Sequence, residues 1–221
     1  MRIAPCSALP LAAVLALSVA LPLRAALPKG RIVFRSERGD GYEIYSMDSA
    51  GSDLRNLSNS RSALDDMPDW SPDGKRVVFV STRDSNDEIY VMDADGADQR
   101  RLTSHPGIDW LPKWSPDGRQ IAFMRYEGHS AAVFVMDADG ARVHKVADAA
   151  ESPDWSPDGS ELLYVSTQDG RLYRVGREGG AARAVGAAGS RGRATCPAWA
   201  PDGSRVAFAV RDGEHSELFV T

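Results

Sequence analysis

Five residues, Trp-Ser-Pro-Asp-Gly, stand at 70–74, 114–118 and 155–159 of this chain, and they recur with one change as Trp-Ala-Pro-Asp-Gly at 199–203. The tryptophans of these segments follow one another at intervals of 44, 41 and 44 residues. Intervals this regular indicate an internal repeat, and they are too long for a coiled-coil heptad or a collagen triplet. A period of roughly 40 to 45 residues is typical of a propeller blade or of a helical repeat.

Each repeat contains the same succession of short apolar runs. In the second unit, "RVVFVS" at 76–81 follows the Pro-Asp-Gly turn, "EIYVMD" at 88–93 follows a polar loop, and "QRRLT" at 99–103 follows a glycine turn. Runs of this kind indicate buried strands, and beyond the N-terminal segment no stretch keeps a helical period for more than a turn or two. With the residues that lead into each tryptophan counted as a strand, a unit has four antiparallel strands, called A to D here.

The recurring letters have a structural explanation. Proline presets φ at the second turn position, aspartate suits the third, and glycine accepts the positive φ at the exit, so the motif predicts the turn between strands A and B. The tryptophans precede this turn on the innermost strand, where a large ring fills the wedge between neighbouring blades; stacking of exposed tryptophans on carbohydrate is the alternative. The residues assigned to this structural repeat are Trp70, Trp114, Trp155, Trp199, Pro72, Pro116, Pro157, Pro201, Gly74, Gly118, Gly159 and Gly203.

Four strands per unit at this period predict an all-β protein, a β-propeller of four-stranded blades. Residues 68–103, "PDWSPDGKRVVFVSTRDSNDEIYVMDADGADQRRLT", closely resemble the repeat of the TolB-like β-propeller family, and the resemblance extends over 31–221. It implies the propeller fold and a role in binding other envelope proteins, as in the family's periplasmic namesake; other family propellers are attached to peptidases. The chain is expected to differ from that namesake, since the residues before 31 are too few for the α/β domain that precedes its propeller.

The first and last units are expected to be incomplete. The first lacks strand A and its turn, and the last reaches Thr221 in strand C, which gives four A, five B, five C and four D strands. Because complete propellers of the family usually have six blades, the pattern predicts either a truncated chain or a five-bladed ring closed by two three-stranded blades.

The N-terminal residues are predicted to be a secretory signal peptide. An apolar run at 9–23 follows Arg2 and is broken by prolines, which suits a signal better than a membrane span. The predicted signal covers 1–25, with cleavage after Ala20 or Ala25, and a linker at 26–30 precedes the propeller at 31–221. The mature chain is therefore expected to be periplasmic or secreted, with no membrane span.

The charge balance limits the class of partner. With 26 basic and 31 acidic residues, the formal net charge is −5, which argues against nucleic acid or an anionic membrane surface. An envelope protein or peptide is the expected partner, while the oligomeric state stays open.

No catalytic constellation is recognisable in the sequence. It has no Gly-x-Ser-x-Gly elbow, phosphate-binding glycine loop, or Cys and His cluster at zinc spacing. Asp-Ala-Asp-Gly at 93–96 and 137–140 resembles the start of a calcium loop, but the later glutamate is missing and the glycines fall where hairpins need them. No cofactor or metal site is expected, and non-catalytic binding is favoured. The alternative is a lyase-like, carbohydrate-active enzyme or an accessory propeller of a peptidase that uses the channel mouth.

The variable face of the repeat is the predicted binding surface. Strand order places the B–C loops and D–A linkers together, and these segments differ from unit to unit, as recognition surfaces on rigid repeats do. Trp110 is expected in a D–A linker at 104–113, either as an aromatic anchor for a partner or packed within its own linker. The acidic residues near the inner strands form either an acidic arc at the channel mouth or local turn hydrogen bonds. The candidate binding residues are Trp110, Asp65, Asp66, Asp109, Glu151, His105, Arg125, Tyr126, His129 and His215.

Overall fold

The computed structural model describes residues 30–38, 41–60, 62–186, 192–213 and 215–221. The predicted signal peptide at 1–25 and linker residues 26–29 lie outside these ranges. The described residues form eighteen β-strands and no α-helix. The strands are β1 (Arg31–Glu37), β2 (Tyr42–Asp48), β3 (Arg55–Asn56), β4 (Asp65–Trp70), β5 (Arg76–Ser81), β6 (Glu88–Asp93), β7 (Arg100–Arg101), β8 (Ile108–Trp114), β9 (Gln120–Glu127), β10 (Ser130–Asp137), β11 (His144–Asp148), β12 (Ala150–Trp155), β13 (Glu161–Ser166), β14 (Leu172–Gly176), β15 (Arg183–Ala184), β16 (Arg193–Trp199), β17 (Val206–Asp212) and β18 (His215–Val220).

The strands form five antiparallel sheets, each with its strands in chain order. Blade 1 is β1–β3, blade 2 is β4–β7, blade 3 is β8–β11, blade 4 is β12–β15 and blade 5 is β16–β18. The three central blades have four strands; blade 1 has strands B to D, and blade 5 has strands A to C. The all-β propeller prediction is confirmed, including the incomplete first and last units. Along the described part of the chain, no helix is long and apolar enough to span a membrane.

The hydrophobic core is divided among the gaps between consecutive blades. Four apolar clusters fill these gaps. Trp114 belongs to the cluster between blades 2 and 3, and Trp155 to the one between blades 3 and 4. Trp70 and Trp199, which are partly buried, pack against the clusters at the two outer gaps. Each repeated tryptophan therefore packs in the wedge between its own blade and the preceding one, where burial of a large ring contributes strongly to stability.

The glycine of the C–D turn allows two blades to approach closely. Gly96, at φ +91°, lies so near the Leu57 carbonyl of blade 1 that a Cβ would clash with it. The equivalent Gly140 of blade 3 also has φ +91°, and its Cβ would lie 2.8 Å from the Leu102 carbonyl of blade 2. Glycine is needed here for two reasons, the left-handed backbone and the lack of space.

Each inner strand contains a β-bulge at the same place. The residue three before the tryptophan has positive φ in all four A strands: 54° at Met67, 53° at Leu111, 54° at Ser152 and 49° at Cys196. A proline follows each of them, and the pairing with strand B shifts register there. Bulges tolerate proline because the local ladder hydrogen bond is already interrupted.

The bulges correct one prediction. The prolines make the preceding residues look like linker, yet the A strands begin before the bulge. Trp110 lies in β8 and not in a D–A linker, and Asp65, Asp66, Asp109 and Glu151 are strand residues rather than residues ahead of the strands.

Candidate functional site

The face formed by the A–B turns is nearly the same in blades 2, 3 and 4. The hydroxyl of Ser71 donates to Asp73 (2.7 Å), and the equivalent distance is 2.6 Å for Ser156 and Asp158. In Asp158, hydrogen bonds from Ser156 and from the main chain and side chain of Ser160 lower the pKa to about 2. Gly118 of one turn packs close to Pro72 of the preceding turn. A Cβ added at Gly118 would lie 3.6 Å from the proline Cδ. Turn geometry accounts for the residues on this face.

The opposite face differs from blade to blade. We call it the mouth face, defined as the B–C loops, the D–A linkers and the first residues of the A strands. Position by position, the residues six, five and four before the tryptophan are Leu64, Asp65 and Asp66 in blade 2; Ile108, Asp109 and Trp110 in blade 3; Ala149, Ala150 and Glu151 in blade 4; and Arg193, Ala194 and Thr195 in blade 5. The same backbone therefore presents different chemistry in each blade.

In blade 3, a buried ion pair joins the inner strand to strand B. Arg125 donates from Nε to Asp109 Oδ1 (2.6 Å) and from Nη2 to Oδ2 (2.8 Å). Its guanidinium also lies over the rings of Phe123 and Phe134, 5.3 and 4.9 Å from their centroids. Burial raises the pKa of Asp109, and the hydrogen bonds from Arg125 oppose that rise. The two predicted site residues are thus brought together as a structural pair.

In blade 2, a different arginine lies near the equivalent aspartate. Asp65 is paired across the strands with Ser81, whereas the equivalent Asp109 is paired with Arg125. Arg83, two residues later, lies over the Tyr90 ring (4.6 Å) and reaches Asp65 Oδ1 at 3.4 Å. Asp65 is fully buried, and its Oδ2 makes no hydrogen bond within the described residues. The carboxylate of Asp65 is consequently less well satisfied than that of Asp109.

The other two acidic residues link neighbouring blades. Asp66 accepts a hydrogen bond from Arg35 of blade 1 at 2.6 Å, and Glu151 lies 2.6 Å from the guanidinium of Arg193 in blade 5. Asp66 also accepts from the main-chain N–H of Met67 (2.7 Å), as the local-turn alternative expects. All four acidic candidates, Asp65, Asp66, Asp109 and Glu151, therefore pair with arginines from other segments.

Trp110 is partly buried and packs against the cluster between blades 2 and 3. Its side chain hydrogen-bonds to Asp87, whose pKa is raised chiefly by burial despite that bond. Trp110 is thus already engaged with its own fold.

Two aliphatic residues that the sequence prediction missed are more exposed than Trp110. Leu64 and Ile108 keep 48% and 37% of their surface accessible. They stand at equivalent positions, directly before β4 and at the first residue of β8. The sequence contained a signal for these residues, because a large aliphatic residue stands six positions before the tryptophan in both units.

The remaining candidates are spread over the mouth face. Tyr126 is near enough to Glu151 and Arg193 for both charges to affect its pKa, which is raised mainly by burial. His105 lies 3.6 Å from Glu127. His129 and His215 are exposed in blades 3 and 5, so blade 4 separates them. Within the described ranges, no three His, Cys, Asp or Glu side chains are grouped as a metal site.

The chain is similar to TolB proteins in sequence and in structure. It is 38% identical over 73 residues to the Tol-Pal system protein TolB of Anaeromyxobacter dehalogenans, a match that covers 31% of this chain and 16% of that protein. The crystal structure of TolB from Acinetobacter baumannii superposes with a TM-score of 0.74 at 23% identity, over 87% of this chain and 50% of that one. A putative TolB from Agrobacterium tumefaciens gives 0.70 at 20% identity, over 81% and 69%.

The matches differ in how much they cover. The chain spans about half of the Acinetobacter protein and a smaller part of the Anaeromyxobacter one. The TolB beta propeller domain, in contrast, matches residues 60–176, which is more than half of this chain. With the repeat motif and the five blades observed, the chain belongs to the TolB beta propeller domain family.

Proposed function

We propose that this protein is an exported, periplasmic and non-catalytic propeller that binds a protein partner through its mouth face. The observation that carries the proposal is the contrast between the two faces. The A–B turns repeat the same hydrogen bonds in successive blades, whereas equivalent positions of the mouth face hold aliphatic, acidic, aromatic and basic side chains. Unit-specific side chains on a rigid repeat are suited to recognition.

Ion pairs tie the inner strands of the mouth face to neighbouring blades. Ion pairs from Arg35 to Asp66 and from Arg193 to Glu151 join adjacent blades at the start of the inner strands. Side chains held on such a framework lose little conformational entropy when a partner binds. Leu64 and Ile108 are exposed there, next to charged residues that are already paired, which matches the apolar centre and polar rim of protein interfaces.

The family supports the same role and location. The relatives named above include a Tol-Pal system protein, and the sequence predicts a signal peptide. Sequencing of the mature N-terminus should begin at Leu21 or Ala26, whereas a soluble product that keeps Met1 would contradict export.

The experiment compares two matched pairs of substitutions. Leu64→Ser with Ile108→Ser removes the exposed aliphatic residues of the mouth face. Leu54→Ser with Val143→Ser removes two residues of similar exposure, 43% and 42%, that flank strand D. Both proteins and the wild type are immobilised and incubated with envelope extract, and thermal melts by circular dichroism confirm folding.

We expect one protein to be retained by the wild type and by the Leu54/Val143 variant but lost from the Leu64/Ile108 variant. In calorimetry, the purified partner should then bind the wild type and the Leu54/Val143 variant with similar affinity and the Leu64/Ile108 variant more weakly. Equal retention by both variants would remove the mouth face as the binding surface. Turnover of oligouronides or peptides by the purified chain would contradict a non-catalytic role.

A further inference from the structure

A recess lies between blades 1 and 2, near the outer D strands. It is an open cavity of about 630 Å³, within the size range of ligand clefts. We call it the rim groove. Its lining, taken from the end of blade 1 and from the B–C loop and C–D turn of blade 2, is Asn56, Leu57, Ser58, Asn59, Ser60, Arg83, Asp95, Gly96, Ala97 and Gln99.

The repeat shows what is special about this groove. Counted forward from strand D, where Ser58 and Thr103 are equivalent, Ser60 corresponds to His105 at the next junction. Arg83 corresponds to Glu127, which lies 3.6 Å from His105. At the rim groove, Ser60 and Arg83 both line the cavity. Arg83 pairs instead within its own blade, with Asp65 at 3.4 Å, and about a quarter of its side chain stays accessible.

Arg83 is held in place on several sides. Its Nε donates to Ser81 (2.8 Å), its Nη1 donates to Gln99 (2.8 Å), and its Nη2 reaches Asp65 at 3.4 Å. A guanidinium has five N–H donors, so two remain for a ligand. About a quarter of the side chain is accessible. An immobilised guanidinium with spare donors is a good receptor for a carboxylate.

The rest of the groove is polar and well ordered. Gln99 Nε2 donates to the carbonyls of Leu57 and Ser58, both at 3.1 Å, which fixes one wall against the C–D turn. Asp95 lies on that turn and provides a negative acceptor in the same groove as Arg83. A peptide carries both complementary groups, because its acidic side chain suits Arg83 and its main-chain N–H groups suit Asp95.

We infer that the rim groove binds an acidic peptide segment, with a glutamate or aspartate carboxylate on Arg83. The groove takes residues 57–60 and Arg83 from the D–A linker and B–C loop of the mouth face, so the inference adds a peptide site at the edge of that face. Leu64 and Ile108 do not line the groove, so a failure of peptide binding is distinguishable from a failure of the proposed partner binding. The probe is a fluorescein-labelled hexaglutamate peptide, measured by fluorescence anisotropy with the full chain. Hexaglutamine tests the need for the carboxylate, and unlabelled galacturonate hexamer competes as a carboxylate carried by a sugar.

Two substitutions test the groove in different ways. Ser60→Glu places a carboxylate in the cavity that Arg83 also lines, with the charges reversed relative to His105 and Glu127, and fills the groove without removing any existing contact of Arg83. Ser104→Glu, on an exposed serine of the equivalent linker in blade 2, changes the net charge equally and is the control. Arg83→Gln removes the cation itself.

We expect hexaglutamate to bind the wild type and Ser104→Glu alike and at least about tenfold more weakly to Ser60→Glu and Arg83→Gln, with no binding of hexaglutamine. Equal binding by the wild type and Ser60→Glu, or no binding to the wild type, would overturn the inference. Displacement of the peptide by galacturonate at lower concentration than by unlabelled hexaglutamate would assign the groove to a saccharide and also overturn it.

Discussion

The carboxylate of Asp69 in blade 2 accepts a hydrogen bond from the main-chain N–H of Trp114 in blade 3, at 2.9 Å between Oδ2 and N. Two junctions further on, between blades 4 and 5, Asp154 accepts from the N–H of Trp199 at 3.0 Å. Both aspartates stand directly before the repeated tryptophan of their own blade. The same side chain therefore ties each of these inner strands to the next blade, at the point where the tryptophan enters the core.

Removal of this contact should weaken the junction between blades. Asp69→Ala leaves the Trp114 N–H without its acceptor, so we expect a loss of about 1–3 kcal/mol in the free energy of unfolding. Urea denaturation followed by tryptophan fluorescence measures the change. Asp69→Asn keeps an acceptor oxygen and should be clearly less destabilising; equal losses in both variants would show that the hydrogen bond is not the cause.

The C–D turn glycines offer a test of close packing between blades. Gly51 and Gly96 both have positive φ, +81° and +91°, but a Cβ at Gly51 meets nothing within 4 Å, whereas one at Gly96 clashes with Leu57. Gly51→Ala should cost about 1–2 kcal/mol from backbone strain alone. Gly96→Ala should cost a further 1–3 kcal/mol, roughly the price of overpacking. Matching melting temperatures for the two variants would contradict this account.

The A–B turn aspartates should contribute to stability in a pH-dependent way. The pKa of Asp158 is lowered from its usual 3.8 to about 2, chiefly by the hydroxyl of Ser156. A depressed pKa of an acid contributes stability that is present above the unfolded pKa and is lost as the pH falls through the folded one. Wild type should therefore lose an increment of stability between about pH 4 and pH 2 that Asp158→Asn lacks. Parallel urea midpoints for the two proteins over this range would be evidence against it.

The buried pair in blade 3 should respond in the opposite direction to pH. Arg125→Ala leaves Asp109 buried without its bidentate partner, which should cost about 3–5 kcal/mol at neutral pH. Burial already raises the pKa of Asp109, and loss of the arginine raises it further. A raised pKa of an acid means stability that is present below the unfolded pKa and lost as pH rises through the folded one.

The variant Arg125→Ala should accordingly regain part of its stability on acidification from pH 7 toward pH 5, as measured by urea midpoints. Addition of Asp109→Asn to the variant should recover part of the loss at pH 7 and remove this pH dependence. If the single and double variants have the same midpoint at every pH, the ion pair does not account for the effect.

Trp110 tests the distinction between packing and recognition. Because its ring packs between blades 2 and 3 and its side chain bonds to Asp87, Trp110→Ala should lower the free energy of unfolding by about 2 kcal/mol or more. Differential scanning calorimetry measures this loss. A variant with wild-type stability would contradict the packing role and would favour Trp110 as an anchor for a partner.

Much of the fold could be predicted from the letters of the repeat. The Pro-Asp-Gly turn needs only local φ preferences, and the apolar runs need only a period of two, so the order of strands A to D followed from segments shorter than one blade. The positions of Trp70 and Trp114 before their turns indicated burial for the same reason. Even the incomplete first and last units were visible, because each strand type could be counted separately.

The state of the mouth face was decided by tertiary structure. The sequence placed Asp65, Asp66 and Asp109 near the channel mouth but did not reveal their arginine partners, which come from other strands: Arg35 is 31 residues from Asp66, and Arg125 is 16 from Asp109. Such pairs depend on strand register and on how blades pack, since charges meet only when the backbones that carry them are fixed. The bulges extended the inner strands past their prolines for a related reason, because the ladder on either side outweighs the local preference of one residue. The sequence by itself determined which elements form; their contacts across and between blades determined which side chains remain available to a partner.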